Sequence, residues 1–229
     1  MRYILFVGAA VSNFLKEYYH KSSAKLLISL LFFVIALIVF GVITDEIILE
    51  KEETIDLMVF HFLNKHMVND ALTDYMYLIT QFSSVRLMKI AYPAIIVILA
   101  GFKYYRRAFF TFIAGSGGLL IIDLMKMFFQ RARFADPLLY REESFSFPSG
   151  HATFSFIFYG TLAYFVWLTD LPKVWKNLMM IFLVLLSLAI GFSRVYLQVH
   201  YASDVVGGFC LGYSWLFLMI YTFRRWFPL

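Results

Sequence analysis

The chain has 229 residues, of which 62% are hydrophobic and 15% charged, with a formal net charge of +5 and a mean hydropathy of +0.76. This is more apolar than the core of a water-soluble domain requires, so the composition excludes a soluble globular fold and indicates an integral membrane protein. A pI near 9.2 implies no nucleic-acid partner, because the basic residues sort into turns between apolar stretches.

In chain order, the first 20 residues hold a short apolar patch, Tyr3 to Val11, followed by Lys16, Glu17, Tyr18, Tyr19, His20 and Lys21. No small-residue cleavage signal follows, and the segment reads as an interfacial helix instead of a signal peptide. Apolar runs of roughly 20 residues, the length an α-helix needs to cross ~30 Å of hydrocarbon, fall near 24–44, 85–104, 107–128, 150–169, 176–196 and 203–223. The expected fold class is therefore all-α, with six transmembrane helices forming one domain over residues 1–229. Residues 51–84 mix Met58, Phe60, Phe62, Leu63, Met67 and Leu72 with charges, a pattern that predicts short amphipathic helices on the outer leaflet. Arg86 and Lys89 stand at the start of the second run and Pro93 lies inside it, so its register can slip by several residues.

Cytoplasmic loops retain Lys and Arg. Arg2, Lys16, Lys21 and Lys25, the Lys103–Arg107 turn, Lys173 and Lys176, and the Arg224–Arg225 tail all fall on one side. That side is assigned to the cytoplasm, with both termini inside. The opposite side receives Asp45, Glu46, Glu50, Glu52, Glu53 and Asp56, together with Lys126, Arg131, Arg133, Arg141 and Arg194. Basic residues kept there against the topological bias suggest an anionic ligand. Gly115, Gly117 and Gly118, and later Gly208 and Gly212, have the spacing that lets helix backbones approach. Cys210, the single cysteine, allows neither an internal disulfide nor a thiolate metal cage.

Three polar clusters sit at the ends of apolar runs, where charge is costly and usually functional. His200 and Asp204 are four apart; on a helix they share a face, and the carboxylate can accept the Nδ1 proton and leave the other ring nitrogen as a lone pair. Such an imidazole suits a base or nucleophile, although the same spacing also closes many helices without chemistry. Arg194, six residues earlier, meets the same ligand only if the chain bends between Tyr196 and Val199. Pro148-Ser149-Gly150-His151 reads as a capped helix start whose free backbone N–H groups attract anions, with Gly150 permitting close approach and His151 placed as a proton donor. Lys126 and Arg133 are seven apart, which on a helix is two turns of one face and a rise of about 10 Å. Arg131 and Arg141 read as snorkelling to headgroups, Asp123 as a partner for Lys126, and His61 and His66 as interfacial. Glu142 and Glu143 could bias headgroup choice by repelling extra negative charge. Three cations, a helix start and two imidazoles fit phosphoryl transfer.

These residues resemble the type 2 phosphatidic acid phosphatase superfamily, whose signatures Lys-x6-Arg-Pro, Pro-Ser-Gly-His and Ser-Arg-x5-His-x3-Asp appear here in order over residues 126–204. Phe134 stands where the first signature has proline. The resemblance implies that His200 attacks phosphorus, Asp204 orients it, and His151 protonates the leaving alcohol and then activates water. It implies that Lys126, Arg133, Ser149, the Gly150 amide and Arg194 hold the phosphoryl oxygens, with no metal and no cofactor. The implied partner is a lipid phosphate within the membrane, foremost phosphatidylglycerophosphate or phosphatidate, with undecaprenyl diphosphate the close rival; no obligatory protein partner is implied. A small transporter or channel lined by Lys126, Arg133, Arg194, Asp123 and Asp204 is the alternative of another class, and a structural membrane protein a third. Vanadate-dependent halide oxidation shares the anion pocket, but the membrane-spanning composition argues against it.

Overall fold

A computed structural model describes residues 24, 26–49, 53–139 and 143–226, and the regular structure among them is helical throughout. The expected N-terminal interfacial helix, Arg141 and Glu142 lie outside the described residues. Helix α1 covers the apolar stretch Leu26–Glu46 and runs into a π-helical turn, Thr44–Leu49. It is followed by α2 (Thr54–His66), α3 (Asp70–Gln81), α4 (Val85–Gly101), α5 (Tyr105–Phe129), α6 (Gly150–Trp167), α7 (Lys173–Tyr196) and α8 (Ala202–Trp226).

Among the described residues, five stretches are long and apolar enough to cross a membrane: Leu26–Glu46, Asp70–Gly101, Tyr105–Phe129, Lys173–Tyr196 and Ala202–Trp226. Six were expected. The one that does not meet the measure is α6, whose 18 residues include Gly150, Thr153, Ser155, Tyr159, Gly160 and Thr161. This helix lies between α7, α8 and α5, and its small and hydroxyl-bearing residues are what close helix–helix contact uses. Burial inside the bundle removed the need for the hydropathy that lipid contact imposes on α1, most of whose apolar side chains are exposed. The second stretch also begins earlier than the sequence suggested, because α3 continues into α4 with only the Phe82–Ser84 corner between them.

The core is built from α5, α6 and α8, where Phe110, Ala114, Ile157, Phe165, Leu216 and Phe223 form one buried cluster. Glycines set the approach of α8 to α6. A Cβ at Gly208 would lie 2.8 Å from the Ser149 carbonyl oxygen and 3.1 Å from the Ala152 Cβ, and one at Gly212 would lie 3.0 Å from the Thr153 carbonyl oxygen. Thr153 reinforces the contact by donating to the Gly208 carbonyl at 3.0 Å. Residues 51–84, expected as short amphipathic helices, contain α2 and α3. Helix α2 buries Asp56, Phe60 and Leu63, and α3 runs along α7.

The polypeptide alternates direction through α5 to α8, so the end of α5, the start of α6, the end of α7 and the start of α8 meet at one end of the bundle. Because the obstacle at Gly208 is backbone, it cannot swing away. Gly208→Ala should therefore cost about 1–3 kcal/mol of overpacking strain, seen as a lower unfolding temperature in detergent. Gly41→Ala, where nothing lies within 4 Å of the new methyl group, should not lower that temperature, since alanine is the better helix former.

Candidate active site

Helix α5 stops at Phe129 because Gln130 adopts a left-handed conformation (φ 48°) while its N–H caps the Lys126 carbonyl. Lys126 is therefore in the last helical turn and Arg133 in the irregular segment beyond it. The two do not share a helical face, as their spacing had suggested; the reversal at Gln130, not periodicity, brings both to one cavity. Helix α7 ends at Tyr196, and the chain turns through Leu197–Val199 with Gln198 at φ 57°. This is the bend needed between Arg194 and His200. His200 stands just before α8, and Asp204 lies in the first turn of that helix.

His200 is almost fully buried and held from both sides. Its Nδ1 lies 3.3 Å from Asp204 Oδ2, and its Nε2 lies 3.3 Å from Arg133 Nη1. A guanidinium can only donate, so Nε2 accepts and Nδ1 carries the proton toward Asp204. The nitrogen with the free electron pair thus faces the cation that would meet a phosphoryl oxygen. Arg133 is itself aimed by donation to the Val199 carbonyl and, through Nε, to the Ser144 carbonyl at 2.7 Å. Lys126 donates to the neighbouring Phe145 carbonyl. The two cations of the first cluster therefore also fix the loop that leads to Pro148.

Asp204 has no exposed surface. Besides His200 it receives the Tyr201 amide at 3.0 Å, the Ser146 hydroxyl and Arg131 Nη1 at 2.7 Å. Arg131 was expected to snorkel; it is buried instead, because its fork spans two carboxylates, with Nη2 2.9 Å from Asp56 Oδ2. Its guanidinium also lies 4.1 Å from the centre of the Tyr201 ring. Burial works against the arginine's charge, but Asp204, followed by Asp56, outweighs it and holds the pKa above the usual arginine value. Asp56 in turn accepts the Ser203 amide at 3.0 Å and the Ser203 hydroxyl. From the sequence neither was given a place in the site: Arg131 read as snorkelling and Asp56 as one acid of the outer loop. The available signal was an arginine two places before Arg133 and one acidic residue beside the future Phe60–Leu63 face, and nothing local joins them.

At the start of α6, Ser149 is the N-cap and accepts the Ala152 amide at 3.4 Å. Its own amide donates to the Asp204 carbonyl oxygen at 3.0 Å, which locks the starts of α6 and α8 together. Gly150 has open space where a side chain would stand. A cavity of about 780 Å³ is lined by Lys126, Arg133, Gly150, His151 and His200, and Asp123 faces it as well. Ser149 and Arg194 are fully buried and lie behind that lining, Arg194 donating to Thr80 Oγ1 at 3.0 Å.

Phe134, which occupies the proline position of the signature, meets Phe60 edge-on with ring centres 4.9 Å apart, and Phe60 stacks on Tyr201 at 5.4 Å. Aromatic packing against α2 anchors the residue after Arg133, the place where a proline ring would have stiffened the backbone.

Over residues 106–228 the chain matches the PAP2 superfamily. It is 36% identical over 133 residues to phosphatidylglycerophosphatase B of Bacillus subtilis, a stretch covering 56% of this chain and 64% of that relative, a little under two thirds of its length. To dolichyldiphosphatase 1 of Dictyostelium discoideum it is 31% identical over 97 residues, 39% of this chain and 42% of the relative. Among solved structures, the transmembrane PAP2-type phosphatidylglycerolphosphate phosphatase of Bacillus subtilis superposes with a TM-score of 0.69 at 28% identity, covering 86% of this chain and 96% of that one.

Replacing Arg131 by Met strands two buried carboxylates, and breaking a buried ion pair in this way costs about 3–5 kcal/mol. The variant should unfold at a clearly lower temperature in detergent. Asp56→Asn keeps an acceptor for Arg131 and should lose less. Equal stability of Arg131→Met and the parent would show that the network carries no load.

Proposed function

The chain belongs to the PAP2 superfamily, and from that membership and the geometry of the cavity we propose that it is a metal-independent membrane lipid phosphatase acting on the phosphomonoester of a glycerophospholipid. Phosphatidylglycerophosphate and phosphatidate are the leading substrates, in keeping with the name of the Bacillus subtilis relative. One observation carries the reading. His200 presents an unprotonated Nε2 to the cavity beside Arg133, with Asp204 behind its Nδ1.

In the proposed reaction, Nε2 forms a bond to phosphorus as the bond from phosphorus to the lipid oxygen breaks, and His151 gives its proton to that oxygen. Asp204 stabilises the positive charge that grows on the His200 ring. Neutral His151 then takes a proton from water, the hydroxide attacks phosphorus, the N–P bond breaks, and inorganic phosphate leaves with both imidazoles restored. Lys126, Arg133 and the Gly150 amide hold the equatorial oxygens, where charge accumulates. Arg194 and Ser149 form the layer beneath, Arg194 adding charge from below and Ser149 holding the helix start in place.

We place the protein in the cell membrane as a single multi-pass unit, with both termini cytoplasmic and the site on the outer face. The support is the sorting of Lys103, Arg106, Arg107, Lys173, Lys176, Arg224 and Arg225 to the end opposite the cavity. A polyprenyl diphosphate is the second substrate reading, favoured by the likeness to dolichyldiphosphatase 1, since the same clamp would grip a terminal phosphate.

Phosphate release by the purified chain in detergent, measured on phosphatidylglycerophosphate, phosphatidate and undecaprenyl diphosphate, tests the proposal. His200→Ala should abolish turnover, and His151→Ala should lower it by about 10²- to 10⁴-fold, the range of general acid–base assistance. Vanadate should inhibit, and a chelator should leave the rate intact. A requirement for added magnesium would overturn the metal-free mechanism. Ion flux without phosphate release would point to a channel, and strong preference for the diphosphate would replace the first substrate by the second.

A further inference from the structure

The cavity extends past the phosphate clamp to the first turns of α4, where Arg86 and Lys89 form part of its wall. These residues are three apart and so share a helical face. Both are exposed, and neither forms an ion pair among the described residues.

The corner that carries them is fastened to the catalytic elements at three points. Thr80 receives Arg194 at 3.0 Å, Tyr159 of α6 donates to the Phe82 carbonyl at 2.7 Å, and Ser83 donates to the carbonyl of His151 itself at 3.1 Å. Arg86 follows Ser83 by three residues and stands in the first turn of α4. The corner is thus tied to His151 by the fold and not by a mobile loop, and Arg86 lines the same cavity as His151.

Charge is the second line of argument. The cavity wall carries four cations, Arg86, Lys89, Lys126 and Arg133, against one carboxylate, Asp123, a formal surplus of three. A phosphomonoester brings about −1.5 to −2, which leaves a surplus of at least about one even before the His151 proton is counted, enough to balance a phosphodiester group. Beyond the two α4 cations the wall turns apolar between α4 and α5, with Tyr92, Pro93, Ile96, Phe112 and Leu119, a surface suited to acyl chains.

We propose that Arg86 and Lys89 form a second anion subsite that reads the phosphodiester of a lipid whose two phosphates are separated by a glycerol, while Lys126 and Arg133 hold the monoester. The subsite distinguishes such a lipid from phosphatidate, which has one phosphate, and from a diphosphate, whose two phosphates are adjacent. This inference rests on the lipid-phosphatase reading above.

The test compares kcat/KM of the full chain in neutral detergent on phosphatidylglycerophosphate and on phosphatidate, for the parent and for R86Q/K89Q. The ratio of the two values should fall about tenfold in the variant. Inhibition by phosphatidylglycerol, which keeps only the diester, should weaken by a similar factor, whereas inhibition by inorganic phosphate should hold steady and so report an intact clamp. An unchanged substrate ratio, or equal losses on both lipids, would overturn the subsite and leave the cations as headgroup anchors. Should the parent release phosphate from neither lipid, the glycerophospholipid reading on which the subsite rests would fall, a result distinct from an active parent with an unaltered ratio.

Discussion

The Asp204 carboxylate is the point on which the catalytic end of this molecule is organised. It has no exposed surface, and an uncompensated charge at such a place would cost several kcal/mol. Its acceptor positions are filled from the segment after α5 by Arg131, from the loop before α6 by Ser146, and from the α7–α8 connection by His200 and the Tyr201 amide. Three separate stretches of chain must therefore arrive together for the carboxylate to be ionised and buried. Meeting that requirement also sets the tautomer and orientation of the histidine that faces the cavity. The demands of folding and of chemistry are met by the same contacts.

Around this centre the charges form two layers. In the inner layer Arg131 is gripped by Asp56 and Asp204, so that its positive charge is spent on structure and an excess of negative charge remains behind His200. Such an excess would favour a cationic His200 ring, the state that the proposed attack on phosphorus requires. The outer layer, Lys126 and Arg133, lines the cavity and occupies itself with backbone carbonyls of Phe145, Ser144 and Val199. Those neutral partners are weaker than a phosphate dianion would be, which is what a clamp needs if it is to exchange ligands. Helix α2 takes part in both stability and aim: Asp56 holds Arg131, and Phe60 receives Phe134.

The apolar stretches, their helical nature and the three polar signatures were all legible in the order of residues. Apolar length reports helices because lipid leaves backbone groups no partners except one another. His200 with Asp204, the Ser149 cap and the bend after Tyr196 could be read because each depends on neighbours within a few positions. The run read at 150–169 is indeed a helix, α6, but it falls short of the hydropathy of a span, since a helix surrounded by protein is selected for fit and not for hydropathy.

What the sequence by itself determined is thus a helical membrane protein of the PAP2 superfamily that carries two imidazoles and a set of cations in three polar signatures. Tertiary structure alone decided the burial of Arg131, its pairing with Asp56 some 75 positions away, the place of Lys126 and Arg133 on either side of a helix end, and the fastening of the α3–α4 corner to His151. The physical reason is distance along the chain. Periodicity and caps are imprinted locally, whereas the partner of a buried charge is whichever group the packing of glycine-lined helices brings within reach, and no residue near Arg131 in the sequence records which one that is.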